Sequence, residues 1–195
     1  TGGDVTIKWS PDGEYVAIAS GRTFVLLDTA YSGKEGTHPP SQARFLVRKV
    51  IQSGVIFSTI ACSPNSQFLA LSDSQTRILD LKNGCCCVRV LDQRNKIDQS
   101  HATSCAWSDD GSLFAMVGGR ADILFIYDAH SSFPDKWELI FSISFRSAIT
   151  SLCWGFSVSD GLYYLAFGGG DDETITIVEI RSHEQIWETV MEFPY

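Results

Sequence analysis

Four histidines, His38, His101, His130 and His183, are the side chains best suited to acid–base chemistry near neutral pH. Each lies in a polar, loop-like stretch, and none is joined to a Ser or Cys motif that would make it the base of a nucleophilic pair. The run Gly-Gly-Gly-Asp-Asp-Glu at 168–173 is the most suggestive. Glycine amides can cradle a phosphate, and clustered carboxylates can hold a hard cation. No Lys completes a phosphate loop and no helical pattern follows, so the run reads as a tight turn between strands. Asp109-Asp110 reads the same way. The six cysteines include no Cys-x-x-Cys pair, which excludes the usual zinc spacing. Cys85, Cys86 and Cys87 are adjacent and, in a strand, would alternate between faces, which suits neither a metal cage nor a disulfide framework. Cys62, Cys105 and Cys153 sit in apolar runs as small buried hydrophobes. No catalytic, cofactor-binding or metal-binding residue is expected, and the reduced cysteines fit an intracellular, cytoplasmic protein, with the nucleus as the other compartment open to it.

The 195 residues are 44% hydrophobic and 12% aromatic, enough for a packed core. A formal net charge of −8 argues against a broad nucleic-acid footprint, which needs clustered Lys and Arg. No apolar run approaches the roughly 20 residues that span a bilayer, and the start, Thr-Gly-Gly-Asp, has no signal-peptide character. Neither nucleic acid nor membrane is expected as a partner. The missing initial Met points to upstream sequence outside this chain.

One pattern occurs four times. "TIKWSPDGEYVAIASGRTFVLLD" at 6–28 returns as "STIACSPNSQFLALSDSQTRILD" at 58–80, "TSCAWSDDGSLFAMVGGRADILFIYD" at 103–128 and "TSLCWGFSVSDGLYYLAFGGGDDETITIVE" at 150–179. The residues before the first turn, Trp9, Cys62, Trp107 and Trp154, are spaced by 53, 45 and 47 residues. A period in the forties built from short alternating runs signifies radially repeated sheets. Each copy yields four strands. The first run into the anchors; a turn follows, with Gly13, Gly111 and Gly161 supplying positive φ and Asn65 beside Ser66 as the tolerant residue of the second copy. Second strands each carry a central Ala17, Ala70, Ala115 or Ala166, small enough for neighbouring sheets to approach. Third strands end on an acid, Asp28, Asp80, Asp128 or Glu179. Fourth strands, such as "WELIFSISF", mix in Lys and Arg as an outer edge should.

On these residues the chain resembles a WD-repeat β-propeller protein over nearly its whole length. The fold expected is all-β, with four blades of four antiparallel strands at about 1–50, 51–98, 99–146 and 147–195, forming part of a propeller of seven or more blades. The resemblance rests on Trp9-Ser10-Pro11-Asp12-Gly13 with Asp28, Ser63-Pro64 with Asp80, Trp107-Ser108 with Gly111 and Asp128, and Trp154 with Gly161 and Glu179. It implies a structural Asp seven residues before the terminal acid, a place held by Asp73 and Asp172 but by Gly21 and Ala121 in the other copies. The Trp that names the family is replaced by Leu27, Leu79, Tyr127 and Val178. The family His has one candidate, His101, about three residues too close to Trp107, so the hydrogen-bond network is at most partial.

Closed propellers of the family it resembles usually have seven blades, and an open four-bladed array would leave two flat apolar sheet faces exposed. The missing blades are therefore expected from the rest of the full-length chain; a dimer completing the ring and a four-bladed closure are the alternatives. The implied function is a non-enzymatic scaffold holding other proteins in an assembly. The alternative is a gating propeller for a hydrolase or peptidase whose catalytic domain lies elsewhere. Arg22, Arg120 and Arg146 fall in loops that would share one rim and are the candidate partner-binding residues, since Arg pairs bidentately with carboxylates. The insertion at 31–43 reads as a flexible loop.

Overall fold

In a computed structural model, residues 5–29, 45–91, 103–118, 121–145, 148–159, 161–169, 174–180 and 187–194 are described; Thr174 and 187–194 are described by their backbone. They form four separate antiparallel sheets, each from four consecutive strands in simple meander order. Sheet one is β1 (Val5–Trp9), β2 (Tyr15–Ser20), β3 (Thr23–Asp28) and β4 (Leu46–Gln52). Sheet two is β5 (Thr59–Cys62), β6 (Phe68–Ser72), β7 (Thr76–Asp80) and β8 (Cys86–Leu91). Sheet three is β9 (Ser104–Trp107), β10 (Leu113–Gly118), β11 (Ile123–Asp128) and β12 (Glu138–Ser144). Sheet four is β13 (Ser151–Ser157), β14 (Leu162–Gly168), β15 (Thr174–Ile180) and β16 (Trp187–Pro194). No strand continues from one sheet into the next.

The first hairpin of sheets one to three is closed by one chemical device. The hydroxyl of Ser10 accepts the Tyr15 N–H at 2.9 Å and donates to Asp12 at 2.6 Å, while Asp12 accepts the Glu14 N–H. Ser63 with Asn65, and Ser108 with Asp110, repeat these bonds. All three serines are buried, so the hydroxyls satisfy backbone groups that water cannot reach. The next residue turns left-handed at Gly13, Ser66 and Gly111. The second copy thus corrects the sequence reading: Ser66 itself takes φ 56°, and Asn65 is the acceptor. Sheet four has Gly155 where Ser would stand, and its hairpin runs three pairs further, to Ser157 opposite Leu162.

A second device escaped the sequence. In every sheet the register of the third strand against the fourth slips at the same place, just before the terminal acid: Leu26/Leu27, Ile78/Leu79, Ile126/Tyr127 and Ile177/Val178. One extra fourth-strand residue at a fixed level increases local twist. Four identical slips give the four sheets the same shape.

The sheets stack through their innermost strands, β1 against β5, β5 against β9 and β9 against β13, with no comparable contact from β13 back to β1. Because the sheets lie face to face, second and third strands are buried on both faces; β6 and β10 have no exposed position. Fourth strands lie outermost; β4 and β12 expose most of their positions and β8 half. Three apolar layers result. Phe24 and Leu26 meet Leu69, Leu71 and Leu79; Phe68, Ala70 and Ile78 meet Phe114, Met116 and Tyr127; Ala115, Leu124 and Ile126 meet Leu165, Phe167 and Val178. Each fully buried Leu, Ile or Phe contributes about 1.5–3 kcal/mol. Ala17, Ala70 and Ala115 are at most 1% exposed and sit in these layers as expected, whereas Ala166 is half-buried, because no described residue of another sheet covers that side of sheet four. Cys153 pairs with Ala166 on the same side and is exposed, contrary to its expected burial.

Candidate functional site

The meander puts the turns of every sheet at two opposite ends. One end carries the turns between first and second strands and the loops between third and fourth; the other carries the turns between second and third strands and the links between sheets.

At the second end the links are held by repeated backbone bonds. Phe57 N–H donates to the Gly21 carbonyl and Ile149 N–H to that of Ala121; Ser53 N–H donates to Arg22 and Phe145 N–H to Asp122. Gly21 and Ala121 both have positive φ. This match places Asp122, not an arginine, at the position Arg22 holds in sheet one. The Arg22 side chain is exposed at this end. Arg120 and Arg146 lie outside the described residues, as do His101, Asp172 and the insertion at 31–43.

Asp73 is the structural acid the spacing suggested. It is 1% exposed, accepts the Ser53 hydroxyl at 2.7 Å and the Gln75 N–H at 3.1 Å, and pairs with Arg77 at 2.8 Å. Ser53 arrives from the link before its sheet, so this bond ties sheet one's exit to sheet two's turn. Gly168 ends β14 and Gly169 follows at φ 124°, consistent with the turn reading of the glycine run; residues 170–173 lie outside the described set.

At the first end, ion pairs and hydrogen bonds bridge neighbouring sheets. Lys82 reaches Asp12 at 2.7 Å and Glu14 at 3.0 Å, and the Asp12 N–H donates to Ser66. Partial burial opposes ionisation of Asp12, but Lys82, Ser10 and the Glu14 amide outweigh it and hold the carboxyl at about 2. Asp110 is treated alike: burial works against it, while Tyr163, Ser112 and Ser108 donate to it and bring it to about 2. Tyr163 belongs to sheet four, so this bond joins sheets three and four. The terminal acids serve the same end. Asp28 binds Arg48 at 3.0 Å, Asp80 accepts the Lys82 and Asn83 amides, and Asp128 accepts the His130 N–H. These are loop-shaping roles, as is that of Asp110 in its turn.

The anchoring tryptophans carry the inter-sheet register. The Trp107 indole N–H donates to the Ala61 carbonyl at 3.3 Å, and that of Trp154 to Ala106 at 3.1 Å. In both cases the acceptor is the residue before the anchor of the preceding sheet. Four alike sheets, stacked by an identical step about their innermost strands, define the architecture. The fold is a β-propeller. Among solved structures, the propeller is similar to the β-propeller domain of Cps50 (Swd1) from Myceliophteria thermophila, with TM-score 0.67 and 18% identity over 98% of this chain and 58% of that one. It is also similar to a protein from Lactobacillus plantarum, with TM-score 0.67 and 11% identity over 96% of this chain and 54% of that one. No family model matches the chain, and no curated protein does. The chain spans little more than half the length of these structural neighbours.

The described thiols of the propeller core are poor nucleophiles: burial pushes Cys105 up to about 12 and Cys62 up to about 11. Among the described residues no group of three His, Cys, Asp or Glu side chains could hold a metal ion.

The outer face of the first blade departs from the others. Val5, Ile7 and Trp9 of β1, with Val47 and Val50 of β4, are 51–65% exposed. Trp9 has the repeat position of Trp107, yet its indole N–H finds no acceptor among the described residues; its ring meets Phe45 edge-on at 6.3 Å. Sequence reasoning expects bare apolar faces on an open array but does not name these residues, because they are as apolar as those buried elsewhere.

Proposed function

We propose that this chain is the four-bladed part of a larger WD-repeat propeller serving as a non-enzymatic scaffold that holds other proteins in an intracellular assembly. The observation carrying the proposal is the pair of bare blade faces. Trp9 and Ile7 on one side, and Ala166 and Ile177 on the other, occupy positions that are covered at all three internal layers. An apolar face of this kind is stable in water only when covered, and a further blade is the cover whose shape and register match. The Cps50 (Swd1) neighbour is a β-propeller domain, and the share of it that this chain covers leaves room for additional blades.

The scaffold reading rests on the construction of the ends. Their loops are cross-linked from blade to blade by Lys82, Tyr163 and Ser53, so a partner meets a preformed surface and loses little entropy to its ordering. The candidate rim is Arg22, Arg120 and Arg146. The double change Arg22→Glu with Arg120→Glu should abolish partner capture, and unchanged capture removes these residues from the interface. Size-exclusion chromatography with light scattering tests the blade count: association or poor solubility of the isolated chain is expected, and a compact, cooperative, soluble monomer would sink the larger-propeller reading.

A further inference from the structure

Between the second and third blades, at the end bearing the Ser-Asx turns, lies a cavity of about 160 Å³. Its apolar lining is Phe68 and Trp107, whose rings are stacked with centroids 6.5 Å apart and 14° between planes. Both are nearly buried, held by Trp137, which meets each edge-on. Around them stand Asn65, Asp110, Ser112 and His130, with neither Lys nor Arg in the lining.

The loop from Ala129 to Trp137 keeps the cavity open. Its 3-10 turn (Pro134–Lys136) is fixed by the Trp137 indole N–H on the Ser131 carbonyl at 2.8 Å, and by Arg89 of the second blade on the Pro134 and Trp137 carbonyls. Phe114 and Tyr127 pack behind it. These bonds tie down the loop that brings Ala129, His130, Ser131 and Ser132 to the lining.

We propose that this cavity is a binding site for a lysine side chain of a partner polypeptide. Size, shape and charge agree on that ligand. At about 30 Å³ per water-sized group, the volume takes about five, the number of heavy atoms in a lysine side chain beyond Cα. The small apolar area that Phe68 and Trp107 present to the cavity suits the methylene stem. Asp110 supplies a fixed negative charge. Its Oδ1 is occupied by Ser108 and Ser112, but Oδ2 accepts one bond, from Tyr163, and retains capacity for a second donor. Asp128 lies outside the lining but is bonded to the Nδ1 of the lining residue His130 at 3.0 Å, a second carboxylate nearby. An acidic partner side chain would meet these carboxylates without a counter-charge and is disfavoured.

The inference deepens the scaffold reading by naming the chemistry of a partner, and it is tested separately from that reading. The ¹⁵N-labelled protein is titrated with Nα-acetyl-lysine methylamide while the Trp107 indole and the Ser112 and His130 amides are followed. Saturable shifts confined to these signals are expected. Binding should weaken at least tenfold for the norleucine analogue, which keeps the stem and lacks the charge. The same loss is expected for His130→Lys, which places a competing ammonium at the exposed mouth without touching the core. Equal response to norleucine, an unaffected His130→Lys variant, or a silent Trp107 indole would overturn the site. Asp110→Asn, checked for folding, should repeat the loss. Capture of protein partners by wild type and by His130→Lys decides the scaffold question independently: capture without lysine binding removes the pocket alone.

Discussion

Trp9 and Trp107 are the same residue at the same place in two repeats. Each ends a first strand, precedes a serine that closes the hairpin, and pairs with an apolar residue of the second strand, Val16 or Phe114. Trp107 is 8% exposed and donates its indole N–H across a blade junction; Trp9 is 57% exposed and donates to no described acceptor. The two stretches share the motif Trp-Ser-x-Asp-Gly and the same strand pairing, so the difference comes from the neighbour. Blade-forming information is local, whereas burial belongs to the array.

That contrast is sharpest under substitution. Trp107→Ala removes the centre of the aromatic layer and should cost about 3–5 kcal/mol, read as a lowered urea midpoint. Trp9→Ala in the same chain should stay within about 0.5 kcal/mol. Equal costs would mean that Trp9 is covered in solution, and the two faces would no longer differ. Next comes Asp73→Ala, which strands Ser53, Gln75 and Arg77 together and should cost about 1.5–3 kcal/mol by chemical denaturation. An effect below half a kilocalorie would show that the tie between the first two blades carries little.

Gly169→Ala tests the fourth blade, where the φ of 124° and the close approach of Thr150, its side chain first and its backbone nitrogen with it, leave no room for a Cβ. A loss of about 1–3 kcal/mol is expected. The acid limb follows. Asp110 titrates at about 2 in the folded protein and near 3.9 in an unfolded chain, so its contribution is complete above about pH 4. That contribution vanishes as pH falls towards 2. Asp110→Asn should therefore flatten the fall in stability between pH 4 and 2, and an unchanged slope would exclude Asp110 as its source. Smallest is Lys82→Met. This pair with Asp12 and Glu14 is solvent-exposed, so under about 1 kcal/mol is expected, shrinking further at high salt.

Much of the fold is legible in the chain because the turns are chemically explicit. Ser-Pro-Asp-Gly and its copies place β1, β2 and β6 on the residues that alternation suggests, and the terminal acids mark the ends of the third strands. Asp73 was legible for a similar reason, since its distance from Asp80 is fixed within one hairpin. The readings that failed concern contacts between hairpins. Cys153 reads as core, yet faces the uncovered side of the fourth blade. The repeated third-to-fourth strand slip left no signal, since a bulge changes pairing without demanding a special residue.

Strand identity, hairpin closure and the number of repeats were set by the linear sequence, because they depend on φ preferences, alternation and hydrogen bonds that span only a few residues. The cavity beside Trp107, the cross-links through Lys82 and Tyr163, and the division between buried and bare tryptophans were decided by stacking. They need atoms brought together from some 45 to 70 positions apart, and no short stretch of chain encodes which face will find a neighbour.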